Sequence, residues 1–142
     1  MPLIDLKHQE RWLNTDTVNA IEVIFEDDQH TNCLRLYLFS TKPATLIVPN
    51  TSAAEFMKHF DSSDQFVMIE GKGGPDFNGP RLVWYQRVNC IVMISPFEDP
   101  GHPNKIVTRI QTIGPTPPHN ECSCYMDIPY ELLLTQVKIK MT

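Results

Sequence analysis

The chain has 142 residues, a mass of 16.3 kDa, a net charge of −5 and a pI near 5.4, with 42% hydrophobic and 20% charged residues; this fits one soluble globular domain able to bury a core. The 12 Lys and Arg residues are scattered, which argues against a nucleic-acid partner, because such binding rests on a dense basic face that releases counterions. No apolar run approaches the ~20 residues of a membrane span. The opening MPLIDLKHQE puts Asp5 where a signal peptide would be apolar, so the cytoplasm is the expected location, and four irregularly spaced cysteines are expected as reduced thiols.

Strands dominate the predicted elements. An apolar run, Leu3 to Lys7, precedes a loop leading to Arg11. Val18 to Glu26 alternates, with Ile21, Val23 and Phe25 on one face, which predicts a strand with one well-buried side. Asp27 to Asn32 supplies a polar hairpin loop before Leu34, Leu36 and Leu38, and Ala44 to Val48 follows the Thr41-Lys42-Pro43 turn. Ser52 with Glu55 is a capping box, so a helix is expected over Ala53 to Phe60, with Phe56 and Phe60 on one side. In the second half Gln65 to Glu70 and Arg81 to Ser95 read as extended, the latter broken near Gln86-Arg87. The stretch Cys90 to Ile94 does not alternate, which predicts cover on both faces. Lys105 to Ile113 alternates, Cys122 to Met126 is a further strand, and Pro129 introduces a helix over Tyr130 to Val137. Gly71 to Pro80 and Gly114 to Asn120 are the main loops.

The order of elements in one half returns in the other. Arg11 to Ile24 aligns without a gap on Arg81 to Ile94, matching Arg11/Arg81, Val18/Val88, Asn19/Asn89, Ile21/Ile91 and Ile24/Ile94. Upstream, Leu3 to Lys7 corresponds to Phe66 to Glu70; downstream, the stretch around Ser52 corresponds to that around Ile128. The expected fold is therefore α+β, mostly antiparallel sheet: two tandem β-rich repeats, 1–62 and 63–142, each ending in a short helix, related by a pseudo-two-fold axis and sharing one core. Each half alone has too little apolar surface to be stable.

Where halves meet, grooves form. Candidate ligand contacts are Arg11, Arg81, Asn19, Asn89, Trp12 and Trp84 from the matched strands, with Lys72 in the glycine-rich segment Gly71 to Arg81, whose amides could form an anion-binding nest. That segment equally suits a plain strand connector, and it lacks Walker spacing. His119, Cys122 and Cys124 offer an imidazole and two thiolates to a borderline metal such as zinc, although common zinc modules use a different spacing, and buried cysteines also pack as small hydrophobes. The acidic clusters Glu26-Asp27-Asp28 and Glu98-Asp99 have no calcium-loop pattern and read as hairpin tips. No catalytic motif occurs, and no cofactor is expected.

The leading functional expectation is a non-catalytic binding or assembly protein that uses a sheet edge or the groove between repeats, with a protein partner or a second copy of itself. The runner-up is a small anionic ligand or a metal bound around His119, Cys122, Cys124 and the Gly71 to Arg81 loop.

Overall fold

The computed structural model describes residues 3–6, 11–25, 31–39, 44–61, 65–73, 81–98, 100–101, 103–117 and 120–141. The chain forms β1 (Leu3–Leu6), β2 (Arg11–Asn14), a 3₁₀ turn (Thr15–Thr17), β3 (Val18–Phe25), β4 (Thr31–Leu38), β5 (Thr45–Pro49) and helix α1 (Ala53–Met57). It continues with β6 (Phe66–Lys72), β7 (Arg81–Arg87), a second 3₁₀ turn (Val88–Cys90), β8 (Ile91–Glu98), β9 (Ile106–Thr116), β10 (Glu121–Met126) and helix α2 (Tyr130–Met141). The order strand, strand, 3₁₀ turn, three strands, helix thus occurs twice.

All ladders are antiparallel. A five-stranded sheet runs β5-β4-β3-β7-β6, a three-stranded sheet runs β10-β9-β8, and β1 pairs with β2. The central β3–β7 ladder, Ala20↔Gln86 to Glu22↔Trp84, joins the early part of the chain to the later part. The fold is therefore α+β and mostly antiparallel sheet.

Two apolar clusters hold the layers. One joins Ile4, Leu6, Leu13, Val18, Ile21, Leu34, Leu36 and Phe56 with Phe66; the other joins Val67, Ile69, Trp84, Ile110, Met126, Leu133 and Val137 with Ala20 and Tyr37. Because β3 contributes to both, the simple alternation expected for it fails, and Val18 through Glu22 are all buried. The cause is a bulge: the register shifts between Val18 and Ala20, which leaves Asn19 as the extra residue and turns Val18 and Ile21 into the same cluster. β8 has a matching shift between Ile91 and Met93.

Other expectations shift in detail. Ser52 caps α1, its hydroxyl accepting from Glu55 N at 3.2 Å, but the α-helix spans five residues rather than eight, and α2 runs on to Met141. The 3₁₀ turns begin at residues 15 and 88, a separation of 73, whereas the ungapped sequence match has a spacing of 70. Val18 and Asn19 therefore lie on β3, while Val88 and Asn89 lie in the turn before β8. The cover expected over both faces of Cys90 to Ile94 fails at the β8 bulge, where Val92 and Met93 are 60% and 52% exposed, while Cys90 is buried. Among the described residues no helix is long and apolar enough to cross a membrane.

Candidate functional site

The candidate ligand residues separate into three places. Asn19 and Trp84 are fully buried at the β3–β7 junction. Gln86 Nε2 donates to Asn19 Oδ1 at 2.9 Å, Trp84 Nε1 donates to Gln86 Oε1 at 3.4 Å, and Asn19 Nδ2 donates to the Pro115 carbonyl at 2.7 Å. Beside them Arg87, also buried, donates from Nε to the Val18 carbonyl at 2.8 Å and from Nη2 to the Thr15 carbonyl at 2.7 Å, with its guanidinium over the Phe66 ring at 4.9 Å. Glu22 accepts from the Tyr37 hydroxyl at 2.7 Å and from Arg35 Nη1 at 3.2 Å; burial, then this hydrogen bond to the carboxylate, pushes the Tyr37 hydroxyl well above its ordinary pKa. These groups satisfy one another and fix the junction.

Arg11 and Trp12 lie exposed on β2. Lys72 and Arg81 come together: they pair across β6 and β7 and line one groove with Met68, Glu70, Ile128, Leu132 and Gln136. The groove has a volume of about 450 Å³ and lies between β6 and α2. Two smaller hollows continue it along the helix, one past Val67, Ile139 and Lys140, the other reaching Gln65, Asn89 and Met141. Asn89 thus stands at the far end of the same channel.

The floor of this channel is the edge of a sheet. β6 pairs only with β7 among the described strands. Val88 N donates to the Gln65 carbonyl at 2.9 Å on the β7 side. Since ladder bonds alternate along an antiparallel strand, the amides and carbonyls of Val67, Ile69 and Gly71 also face β7, and those of Met68 and Glu70 face outward. The outward set continues to Lys72, whose carbonyl accepts from Asp127 N at 2.9 Å where the end of β10 closes off the channel. At that close approach a Cβ on Gly71 would stand 3.0 Å from Ile128 Cγ1, so the Ile128 side chain would have to shift, while one on Gly73 would stand 2.8 Å from Leu82 Cδ1, the movable end of a β7 side chain. Gly71 to Lys72 is strand, and Gly73 bridges to Met126; residues 74–80 lie outside the described set.

The wall is α2. Leu133 and Val137 go into the core, while Leu132, Gln136, Ile139 and Lys140 recur at helical spacing along the channel. Met68, Leu132, Ile139 and Met141 are 47%, 53%, 65% and 70% exposed, so the channel borders are apolar and open to solvent. Charge is inverted there relative to the chain: Lys72, Arg81 and Lys140 line it against Glu70, on a protein of net charge −5. Arg81 shares its charge with Glu70 in an ion pair and lies over the Phe25 ring at 5.7 Å.

The sequence reading missed Met68, Leu132, Gln136, Ile139 and Lys140. The available signal was in α2: Leu132 and Ile139 lie seven residues apart on a stripe separate from Leu133 and Val137, a second apolar face that one buried side does not need.

The thiols behave separately. His119 lies outside the described residues. Cys122 is exposed, its Sγ 3.7 Å from the Ile113 carbonyl, whereas Cys124 is buried in the second cluster, and burial pushes its thiol up to about 12. A register shift between Glu121 and Ser123 sits at this point of β10. Among the described residues no three His, Cys, Asp or Glu side chains are grouped to hold a metal ion.

Fold and channel together define an antiparallel β protein in which the edge of β6, open among the described residues, lies beside a helix. No known protein family, curated protein or solved structure matches this chain.

Proposed function

We propose that this chain is a non-catalytic binding protein whose working surface is the open edge of β6 beside α2. The carrying observation is the coincidence, in one channel, of outward backbone groups at Met68 and Glu70 with exposed apolar side chains at Met68, Leu132 and Ile139. An edge left bare is an aggregation liability that folds normally blunt or cover; an edge bordered by a helix is a recurrent way to receive another chain.

The same proposal includes two tandem repeats, 1–62 and 63–142, related by an approximate two-fold. Carrying the strand registers of one half onto the other brings together residues that are buried in both: Ile4 with Val67, Leu6 with Ile69, Leu36 with Ile110 and Val48 with Met126. The bulges at Asn19 and Val92 fall at equivalent places, each two residues after a 3₁₀ turn. These agreements support duplication, with the spacing of 73 holding across the 3₁₀ turns and the bulges. The working edge then belongs to the first strand of the second repeat and the wall to its closing helix.

The test is to pan a random linear peptide library on the folded protein and on the Met68→Lys/Leu132→Glu variant, both changes being at exposed positions. Clones enriched on the parent and lost on the variant support the reading; equal enrichment on both, or none on either, overturns it. A second reading, a small anion held by Lys72 and Arg81, is favoured by their meeting at one end of the channel. Titration with citrate, followed by amide shifts at Lys72 and Arg81, separates the two.

A further inference from the structure

We infer that the occupant of this channel is an extended peptide segment, apolar at alternate positions and acidic at its ends, which adds to β6 as a sixth strand of the central sheet. This rests on the edge-binding reading above and goes further by fixing the chemistry and the pose.

The backbone sets the pose. Met68 and Glu70 each turn an N–H and a C=O away from β7, and the stretch Phe66–Lys72 is a regular strand. A second strand laid along it meets donors and acceptors at two-residue intervals, which only an extended chain can match. The Asp127 amide already makes one such contact to the Lys72 carbonyl, so the pairing geometry is present at one end of the edge, and at Met68 and Glu70 the edge is open among the described residues.

The side chains set the sequence. An added strand points alternate residues to opposite faces of the sheet. Those turned toward α2 meet Leu132, Gln136 and Ile139, and those turned the other way lie beside Met68, so apolar or β-branched residues suit the middle. The two ends meet cations: Lys72 at the Ile128 end, beside the Arg81–Glu70 ion pair, and Lys140 at the Asn89 end. Glu70 is engaged by Arg81, which leaves the channel ends attractive to carboxylates although the chain as a whole repels them. A basic segment would be rejected by the same arrangement.

The probes are capped synthetic peptides about as long as β6, with alternating Val and Thr and Glu at both ends. Companions are a Gln-ended version and two versions N-methylated on alternate amides, one series facing β6 and the other facing away. Fluorescence anisotropy at low salt gives the affinity, and amide exchange by NMR gives the site. The Glu-ended peptide should bind, with the Met68 and Glu70 amides newly protected. The Gln-ended peptide should bind about tenfold more weakly, since two partly exposed charge contacts are lost. One N-methylated series should fail and the other should bind normally.

Equal binding of both methylated series overturns strand addition. Equal binding of the Glu-ended and Gln-ended peptides overturns the acidic preference and leaves the open edge intact. If no synthetic peptide binds while the library still yields clones lost on the Met68→Lys/Leu132→Glu variant, the occupant is wrong and the edge reading survives; if both experiments are blank, both fall. Met68→Pro removes one outward amide at an edge position where proline is tolerated, and should abolish peptide binding. Lys72→Gln with Lys140→Gln, both exposed, is a second variant that leaves the backbone untouched, and should lower the Glu-ended affinity to the Gln-ended value.

Discussion

Replacing Arg87 by Met tests whether one side chain ties the later part of the chain to the earlier part. Arg87 ends β7, is 5% exposed, and donates to the Val18 and Thr15 carbonyls at 2.8 and 2.7 Å, so it grips both ends of the 3₁₀ turn before β3. Hydrogen bonds from a charged donor contribute about 1.5–3 kcal/mol each, and losing them leaves two carbonyls in a buried setting. Methionine recovers part of the contact with Phe60 and Phe66 and removes the cost of burying a guanidinium. The expected net loss is about 2–4 kcal/mol, a large part of what a domain of this size has, and corresponds to a fall in Tm of roughly 5–15 °C. Arg87→Lys keeps the charge but not the fork, so it should lie between parent and Met. Urea unfolding followed by circular dichroism, with the slope checked for constancy, measures this. A loss below about 0.5 kcal/mol for Arg87→Met, the range of a neutral surface change, would mean that the turn carbonyls are satisfied without the arginine.

Leu133→Ala should cost about 2–5 kcal/mol by opening a cavity in the second cluster, whereas the neighbouring Leu132→Ala, at an exposed position on the channel, should change stability by less than about 0.5 kcal/mol; similar losses for both in urea melts would contradict the assignment of the two faces of α2. Gly114→Ala should destabilise by about 1–3 kcal/mol, because its Cβ would lie 2.4 Å from Phe39 Cε1, and pairing it with Phe39→Leu should restore part of the loss in the same assay. Cys122 should be alkylated by iodoacetamide at pH 8 while Cys124 is protected, as read by peptide mass spectrometry; equal modification under native conditions would contradict the burial. The Cys124 thiol is raised from 9.0 to about 12, so the folded state holds that proton more tightly: its contribution to stability is complete below pH 9 and is lost as pH rises from 9 toward 12, which denaturant melts across that range should register.

Much of the secondary structure was legible because its signals are local. The Ser52 cap, the alternating strands of β4 and β9, and the proline before α2 announce themselves within a few residues. The break near Gln86-Arg87 was also readable, since two polar residues interrupt an apolar strand; that they seal a junction was not, as their partners Asn19, Val18 and Thr15 lie some 70 residues away in sequence. The Asn19 bulge escaped because an extra residue in one strand depends on the strand opposite it.

The candidate site shows the same division. Lys72 and Arg81 could be picked out as cations flanking a glycine-rich segment, and the structure does bring them into one channel. Asn19 and Trp84 looked equally suitable, yet both are sealed inside.

By itself, then, the sequence settled which stretches extend or coil and that strands prevail, because backbone preference and side-chain periodicity act over neighbouring residues. It took the packed fold to set that β3 lies against β7, that β6 is the last of the described strands of its sheet with the Met68 and Glu70 amides turned outward, and that a second face of α2 is left beside it. Strand order is a choice among distant segments whose backbones offer the same hydrogen bonds, so it is fixed by how the whole set of side chains packs.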